Sequence, residues 1–188
     1  MNTYLILLRG INVGGKNKMP MAQLKLFLEE QGFVNVLTYI QSGNVIVQSK
    51  LDAKTVSQQI ERSLPKRFKL DSSIIKVLTL TTKQLQAIVD KRPKGFGNQP
   101  EKYYSDTIFL MDIDSAQAMS VFDPREGVDK VWPGNGVIYS QRLGSLRTKS
   151  RLGKIVGTPM YNSMTIRNWN TTTKLLNILN KIAKEESS

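Results

Sequence analysis

Residues 7–20, LLRGINVGGKNKMP, combine glycines and cations in a pattern close to that of nucleotide-binding loops. From Gly10 to Asn17 the sequence reads G-x-x-x-x-G-K-N, one residue away from the P-loop pattern G-x-x-x-x-G-K-[S/T]. Asn17 takes the place of the hydroxyl that would bind Mg²⁺. Pro20 is predicted to open a helix, several residues too late for the helix N-terminus to face the phosphates of a nucleotide. The sequence therefore argues against a P-loop nucleoside triphosphatase.

The same loop has the components of a simpler anion site. Gly10, Gly14 and Gly15 permit sharp backbone turns and can expose N–H groups. The side chains that would add charge or amide donors are Arg9, Asn12, Lys16 and Lys18. We expect this loop to hold a phosphate or a carboxylate, although an ordinary strand-to-helix connection with surface lysines has the same composition.

A second polar cluster lies in residues 39–47, YIQSGNVIV. Gln41 and Ser42 fall at the turn of a predicted hairpin, where Gly43 and Asn44 tolerate a positive φ. Turn chemistry alone explains each of these polar residues. The functional alternative places Gln41, Ser42 and Asn44 beside the glycine loop, provided that the two loops leave the sheet at the same end.

The third cluster is residues 165–174, TIRNWNTTTK. Thr165 is predicted to cap the last helix, and Trp169 is predicted to pack inward. The polar groups in the first turns of that helix would be Arg167, Asn168, Asn170 and Thr171. Such a concentration of hydrogen-bonding groups favours a ligand site or a domain junction over a solvated helix end.

The chain contains neither cysteine nor histidine. This composition excludes disulfides, Ser-His-Asp triads and zinc sites built on cysteine and histidine. A reaction would have to use carboxylates, lysine, arginine, tyrosine, serine, threonine or a hard metal such as Mg²⁺ bound by carboxylates. The candidate carboxylates are Asp106, Asp112 and Asp129, and each of these also fits a strand edge or a turn. We expect no metal and no cofactor, and we expect a cytoplasmic protein because cysteine is absent. No apolar run approaches the ~20 residues that cross a bilayer, so we expect no membrane association.

Positive charge is unevenly distributed along the chain. The formal net charge is +12. Residues 1–27 and 130–184 contain no aspartate or glutamate, and the two stretches hold the glycine loop and the third polar cluster. Segregated positive charge attracts polyanions, so we expect nucleic acid or a phosphorylated small molecule as the partner.

The first half predicts a βαββαβ unit over residues 1–90. Strands are predicted at 3–8, 35–41 and 44–49, and a fourth from Ile74 to Leu80. The first helix should begin at Pro20. The second should follow the cap Asp52 and end near Pro65. A further helix is predicted over 82–91. This order is that of the split ferredoxin-like unit, with both helices on one face of an antiparallel sheet.

The second half repeats the pattern less completely. Residues 91–105 form a linker rich in proline and glycine, and a second unit follows over 106–188. We expect a strand at 107–113, a short helix at 115–122, a hairpin at 126–142, a helix from about Ser150, and a long amphipathic helix from Thr165. The fold class is therefore α+β, with two ferredoxin-like α/β sandwiches in tandem, the second a βαββαα variant.

The RNA recognition module shares this topology but stacks bases on aromatic residues of its two central strands. In the first unit those strands carry only Tyr4. Nucleic-acid binding would therefore depend on the basic surface.

Three stretches, LLRGINVGGKNKMPMAQL, TYIQSGNVIV and TPMYNSMTIRNWNTTTKL, resemble an uncharacterised bacterial family catalogued as domain of unknown function 1697. The resemblance implies a pair of ferredoxin-like units and implies no activity. The motif positions it carries are Arg9, Gly10, Asn12, Gly14, Gly15, Gln41, Ser42, Gly43, Asn44, Arg167, Asn168, Trp169 and Thr171.

The leading hypothesis is anion binding, with nucleic acid as the ligand and without an assigned catalytic residue. Arg9, Lys16 and Arg167 would contact phosphate, and the glycines of the loop and Asn44 would supply backbone and amide donors. Two alternatives stay open. One is an enzyme that acts on a small phosphorylated or carboxylated metabolite in a cleft between the halves, and the other is a protein-interaction module.

Overall fold

Eight strands, five α-helices and three 3₁₀ turns make up residues 1–70 and 75–186, the part of the chain that the computed structural model describes. They form two compact units. Unit 1 comprises residues 1–85 and the chain from 175 onward, and unit 2 comprises residues 86–174. This division differs from the predicted one, because residues 91–105 lie within unit 2 and the end of the last helix lies in unit 1.

Unit 1 has the predicted βαββαβ order and a four-stranded antiparallel sheet in the order β2-β3-β1-β4. Its elements are β1 (Asn2–Arg9), α1 (Met21–Glu30), β2 (Val34–Tyr39), β3 (Asn44–Ser49), α2 (Ala53–Arg67) and β4 (Lys76–Thr81). Helix α3 (Thr82–Asp90) follows and passes from unit 1 into unit 2.

The alternation of side chains along β1 explains why its sequence is almost wholly apolar. Tyr4, Ile6 and Leu8 share one core with residues of α1 and α2. Leu5 and Leu7 point to the opposite face and are equally buried. On that face, Gln48 of β3 donates a hydrogen bond to Glu186, at the end of the last helix. The prediction that α1 and α2 share one face of the sheet is therefore confirmed.

Local sequence signals set most boundaries of unit 1. Asp52 caps α2 by accepting from the Thr55 N–H at 3.0 Å, as predicted. The helix ends at Arg67, near Pro65 as predicted. Pro65 lies in the last turn, where its missing N–H removes only one intrahelical bond. The predicted start of β4, Ile74, lies outside the described residues.

Unit 2 contains a second four-stranded antiparallel sheet in the matching order β6-β7-β5-β8. Its elements are β5 (Tyr103–Leu110), α4 (Ser115–Met119), β6 (Asp129–Pro133), β7 (Val137–Leu143), 3₁₀ turns at Gly144–Lys149, Leu152–Gly157 and Pro159–Ser163, and β8 (Met164–Asn168). Helix α5 (Trp169–Glu185) begins in unit 2 and ends in unit 1. The fold class, α+β with two tandem α/β units, is confirmed.

The predicted βαββαα order of unit 2 is right in its long last helix, wrong in the helix predicted from about Ser150, and lacks the strand β8. The basic segment after Leu143 forms 3₁₀ turns, because Gly153, Gly157 and Pro159 interrupt it at short intervals. Residues 164–168 then form the fourth strand, at the edge of the sheet beside β5. The long helix starts only at Trp169.

Strand β5 also begins earlier than predicted, at Tyr103, within the predicted linker. Another residue of that segment, Phe96, is fully buried and packs edge-on against Tyr139 and Trp169. Residues 91–105 are thus integrated into unit 2.

Candidate functional site

The glycine loop between β1 and α1 forms a small hairpin of its own. The Asn12 N–H donates to the Asn17 carbonyl at 3.0 Å, and the Lys16 N–H donates to the Val13 carbonyl at 2.9 Å. Gly14 and Gly15 occupy the two central turn positions with φ of +57° and +76°, which is the pattern of a type I′ turn. Among the described residues, no acceptor takes the N–H of Gly14 or Gly15.

Asn12 fixes the base of this hairpin. Its Oδ1 accepts from the Met19 N–H at 2.7 Å, and its Nδ2 donates to the carbonyls of Met19 and Gln41, each at 2.9 Å. Asn17 adds a bond from its Nδ2 to the Gly10 carbonyl at 2.7 Å. Both asparagines have a positive φ, which this residue tolerates better than most. We therefore assign Asn12 a structural role.

The β2–β3 turn lies directly beside the glycine loop. The Leu8 N–H donates to the Gly43 carbonyl at 2.8 Å, and a Cβ on Gly43 would come within 2.9 Å of both Leu8 and Ile11. The first two polar clusters therefore meet at one end of unit 1, the arrangement on which the functional alternative depended.

The polar residues of this turn divide into two groups. Asn44 is fully buried, and its Nδ2 donates to the Tyr39 carbonyl and to Ser42 Oγ. The side chains of Gln41 and Ser42 are exposed. The prediction of a positive φ at Asn44 is wrong, because Asn44 already belongs to β3 and Ile40 takes that conformation with φ of +49°.

The start of α1 provides further unused donors. Pro20 is the N-cap residue, no side chain caps the helix, and no acid lies in the first turn. The first N–H groups of the helix therefore lack intrahelical acceptors and carry the positive end of its dipole. Lys16 and Lys18, which precede it, are exposed and form no ion pair with any carboxylate in the described part of the chain.

Arg9 is half-buried at the end of β1, opposite Lys76 of β4. It takes part in contacts within the protein, so the exposed positive charge of the loop comes mainly from Lys16 and Lys18.

The third cluster lies in unit 2 and is mostly interior. Arg167 is 6% exposed, and its Nη1 donates to Thr165 Oγ1 at 2.9 Å and to the Ile166 carbonyl at 2.7 Å. Burial lowers the pKa of Arg167 to about 10, which leaves the guanidinium charged at neutral pH. We assign Arg167 a structural role in the β5–β8 sheet.

Asn168, and not Thr165, caps α5. The prediction for Thr165 is wrong because Thr165 lies in β8, whereas Asn168 Oδ1 accepts from the Thr171 N–H at 2.7 Å. Trp169 is 8% exposed, as expected of a residue that packs inward. Thr171 is buried, and Asn170 is exposed.

Proximity in space also changes the charge pattern of unit 2. Arg151 and Lys154 each lie 3.2 Å from the Asp123 carboxylate, and Arg142 lies 3.9 Å from Asp106. The stretch that is free of acids in the sequence is therefore partly neutralised in the fold.

The three candidate acids occupy different environments. Asp129 is nearly buried and accepts from the N–H groups of Arg125 and Arg151. Burial opposes its ionisation, but these hydrogen bonds prevail and lower its pKa. Burial raises the pKa of Asp106, and the nearby Arg142 only partly offsets the effect. Asp112 is exposed, with φ of +61°, where β5 ends.

A groove in unit 2 contains residues that the sequence reasoning missed. Its cavity measures about 250 Å³ and is lined by Gly97, Pro100, Tyr103, Tyr104, Ser105, Asn168, Trp169 and Asn170. The adjacent tyrosines at the start of β5 were the available signal, but the proline and glycine residues before them made the segment read as a linker.

Comparison with known proteins identifies the family. A family model matches residues 1–139, which include the glycine loop and the β2–β3 turn. The chain belongs to this family, Protein of unknown function (DUF1697). The resemblance stated from the sequence is thereby confirmed. The third motif stretch lies beyond the residues that the DUF1697 model matches.

A solved structure has the same fold as this DUF1697 chain. It is that of the conserved bacterial protein SP0830 from Streptococcus pneumoniae, with a TM-score of 0.79 and 24% sequence identity. The match covers 95% of this chain and 98% of that one. No match was found among the curated proteins.

Two classes of feature are missing from the part of the DUF1697 chain that the structure describes. No helix there combines the length and the apolar character that crossing a membrane requires. Nor do three aspartate or glutamate side chains come together in an arrangement that could hold a metal ion.

Proposed function

We propose that unit 1 binds anions through the glycine loop, and that the anion is the phosphate backbone of a nucleic acid. The proposal rests on one observation: a single anchored loop holds two exposed lysines and a set of N–H groups for which residues 1–70 and 75–186 provide no carboxylate partner and no acceptor. Lys16 and Lys18 would supply charge, and the amides of Gly14, Gly15 and the first turn of α1 would supply directed donors. A cytoplasmic location, where nucleic acid is available, is part of this proposal.

The anchoring of the loop matters for affinity. An unanchored loop would lose conformational entropy each time it bound a ligand. The three hydrogen bonds of Asn12 hold the loop against α1 and the β2–β3 turn before any ligand arrives. Gln41, whose side chain is exposed beside the loop, would add an amide donor.

A titration of a fluorescent single-stranded oligonucleotide at several salt concentrations tests the proposal. The logarithm of the binding constant should fall linearly with the logarithm of the salt concentration, because bound phosphates release counterions. The double variant K16Q/K18Q should bind more weakly and reduce the slope by about 1.4. Absence of binding near physiological salt would overturn the nucleic-acid assignment.

The control is K54Q/K83Q, which removes the same charge from unit 1. Lys54 and Lys83 lie far from the glycine loop. Their segments follow Ser49 and Thr81, which pair with Asn2 and Tyr4 toward the end of β1 that is opposite Arg9. This variant should retain the slope of the wild-type protein. An equal loss in both double variants would mean that binding follows net charge and not the loop.

The enzyme alternative stays a proposal of lower rank. In this alternative Asp106 is the candidate general acid or base, because its pKa is raised. Asp129 has a structural role instead, because its carboxylate accepts hydrogen bonds. A thermal-shift screen of phosphorylated and carboxylated metabolites tests this alternative, because a tight ligand raises the melting temperature by mass action. For a protein-interaction module, the expected observation is a partner that stays bound in high salt.

A further inference from the structure

Two apolar side chains are exposed beside the lysines of the glycine loop. Val13, which precedes the two turn glycines, is 65% exposed, and Ile40, in the β2–β3 turn, is 50% exposed. The Asn12 side chain donates to the Gln41 carbonyl at 2.9 Å, so the chain neighbours of Val13 and Ile40 are joined by a hydrogen bond. Apolar and cationic groups therefore occur together at this end of unit 1.

The backbone of Ile40 is strained. Its φ is +49°, in the left-handed region where a β-branched residue is an outlier. Asparagine or glycine would adopt this conformation more easily, yet the position holds a large apolar side chain that is half exposed to solvent. Strained residues concentrate at sites that bind ligands. Strain and exposure together therefore favour a contact between Ile40 and the ligand of the loop.

Cations extend from the glycine loop across the same end of the sheet. Arg9 ends β1 and pairs with Lys76, the first residue of β4. The β2–β3 turn lies on the other side of β1, because β3 is the other neighbour of that strand. Four strands in this order span about 14 Å, since neighbouring strands lie ~4.8 Å apart. A ligand that meets both the apolar and the cationic groups is therefore longer than one phosphate and has apolar surface.

Among polyanions, a single-stranded nucleic acid combines these properties. Its unstacked bases present apolar faces, whereas a duplex buries the faces in its stack and presents phosphates, sugars and base edges. An apolar side chain can enter a duplex only by unstacking base pairs, which costs free energy. An inorganic polyphosphate has the charge but no apolar surface. Exposed apolar groups beside lysines therefore favour a single strand over both.

We propose that the anion at the glycine loop is a single-stranded nucleic acid, whose bases contact Ile40 and Val13 and whose phosphates contact Lys16 and Lys18. This inference rests on the proposed function, because it takes the glycine loop as the phosphate site. The two sets of contacts respond differently to salt. Phosphate contacts weaken as the salt concentration rises, whereas burial of apolar surface does not depend on the release of counterions.

Fluorescence anisotropy with a labelled single strand, a duplex of the same sequence and inorganic polyphosphate as a competitor tests the proposal. Near physiological salt, we expect the single strand to bind more tightly than the duplex, and polyphosphate to compete weakly. Ile40→Asn should weaken binding of the single strand about 5-fold, because it removes apolar contact area, and it should leave the salt slope unchanged. Val13→Thr, which keeps the shape of the side chain, should change binding in the same direction.

Three comparisons separate loss of contact from loss of structure. Asparagine tolerates a positive φ, so Ile40→Asn should keep or raise the melting temperature. Ile40→Leu keeps an apolar side chain and should bind the single strand as the wild-type protein does. Leu51→Gln removes a partly exposed apolar side chain that follows Ser49, at the end of unit 1 opposite the loop. It should also bind as the wild-type protein does.

The proposal is overturned if the duplex binds as tightly as the single strand, or if Ile40→Asn loses no more affinity than Leu51→Gln. Its failure and that of the proposed function are distinguishable. If K16Q/K18Q weakens binding of the single strand and Ile40→Asn does not, the base contacts are wrong and the loop stays an anion site. If neither the single strand nor the duplex nor polyphosphate binds, the function proposed for the loop is wrong as well.

Discussion

The Asn12 Nδ2 atom lies 2.9 Å from the Gln41 carbonyl oxygen, a hydrogen bond that joins the glycine loop to the β2–β3 turn across 29 positions of sequence. The same side chain holds both backbone groups of Met19, which is 1% exposed. One asparagine therefore sets the position of the whole basic loop relative to the sheet.

Asn12→Ala should lower the free energy of unfolding by about 2–4 kcal/mol, because it removes three hydrogen bonds and leaves the buried Met19 N–H unsatisfied. Denaturant unfolding measures the change. Gln41→Ala is the control, since only its backbone carbonyl takes part in the network, and it should change the stability by less than about 0.5 kcal/mol. Similar effects of the two substitutions would show that the Asn12 network does not anchor the loop.

Gly97→Ala should be strongly destabilising. A Cβ at Gly97 would lie 2.2 Å from the Trp169 ring, and the backbone has φ of +76°. Gly95 has a similar φ of +81° but open space around it, so Gly95→Ala isolates the backbone cost of about 1–2 kcal/mol. Overpacking should make Gly97→Ala worse by at least about 1 kcal/mol. Equal melting temperatures for the two variants would mean that Trp169 moves aside without cost.

Tyr139 should make the stability of the protein fall at high pH. Its hydroxyl donates to the Ile88 carbonyl at 2.6 Å, and burial raises its pKa from 10.0 to about 12. The neutral phenol is therefore favoured in the folded state. This contribution is fully present below pH 10 and is lost as the pH rises through 12.

Denaturant unfolding from neutral pH to pH 12 measures this effect. Tyr139→Phe should cost about 1–2 kcal/mol at neutral pH, because the Ile88 carbonyl loses its partner, and it should show a weaker loss of stability above pH 10. A variant with the same alkaline profile as the wild-type protein would show that another group is responsible.

The strand order of both sheets follows from local sequence patterns. The element boundaries in unit 2 were predicted wrongly where the patterns of two adjoining elements overlap. In residues 164–168, the β-branched Thr165 and Ile166 indicate a strand, but the helical periodicity that starts at Trp169 was extended back over them. In residues 103–104, the aromatic pair belongs to a strand, but it follows a segment rich in glycine and proline. Local patterns do not determine which of two adjoining elements contains the residues at their boundary.

The sequence alone did not predict contacts between residues that are distant along the chain. It offered Arg167 as a candidate for phosphate binding, but only the register of β8 beside β5 shows that this side chain is interior. It also showed a stretch without acids, whereas Asp123 comes from a distant segment to pair with Arg151 and Lys154. Charge segregation along a chain is therefore a poor guide to charge segregation on a surface.

The amide NMR spectrum of the full chain, recorded during titration with a short single-stranded oligonucleotide at low salt, tests anion binding by the loop most directly. We predict that the backbone N–H signals of Gly14, Gly15 and Lys16 shift progressively and return as salt is added, with the Met21–Gln23 amides of α1 following them. If these signals stay fixed while the oligonucleotide binds and shifts resonances elsewhere, the glycine loop is not the anion site.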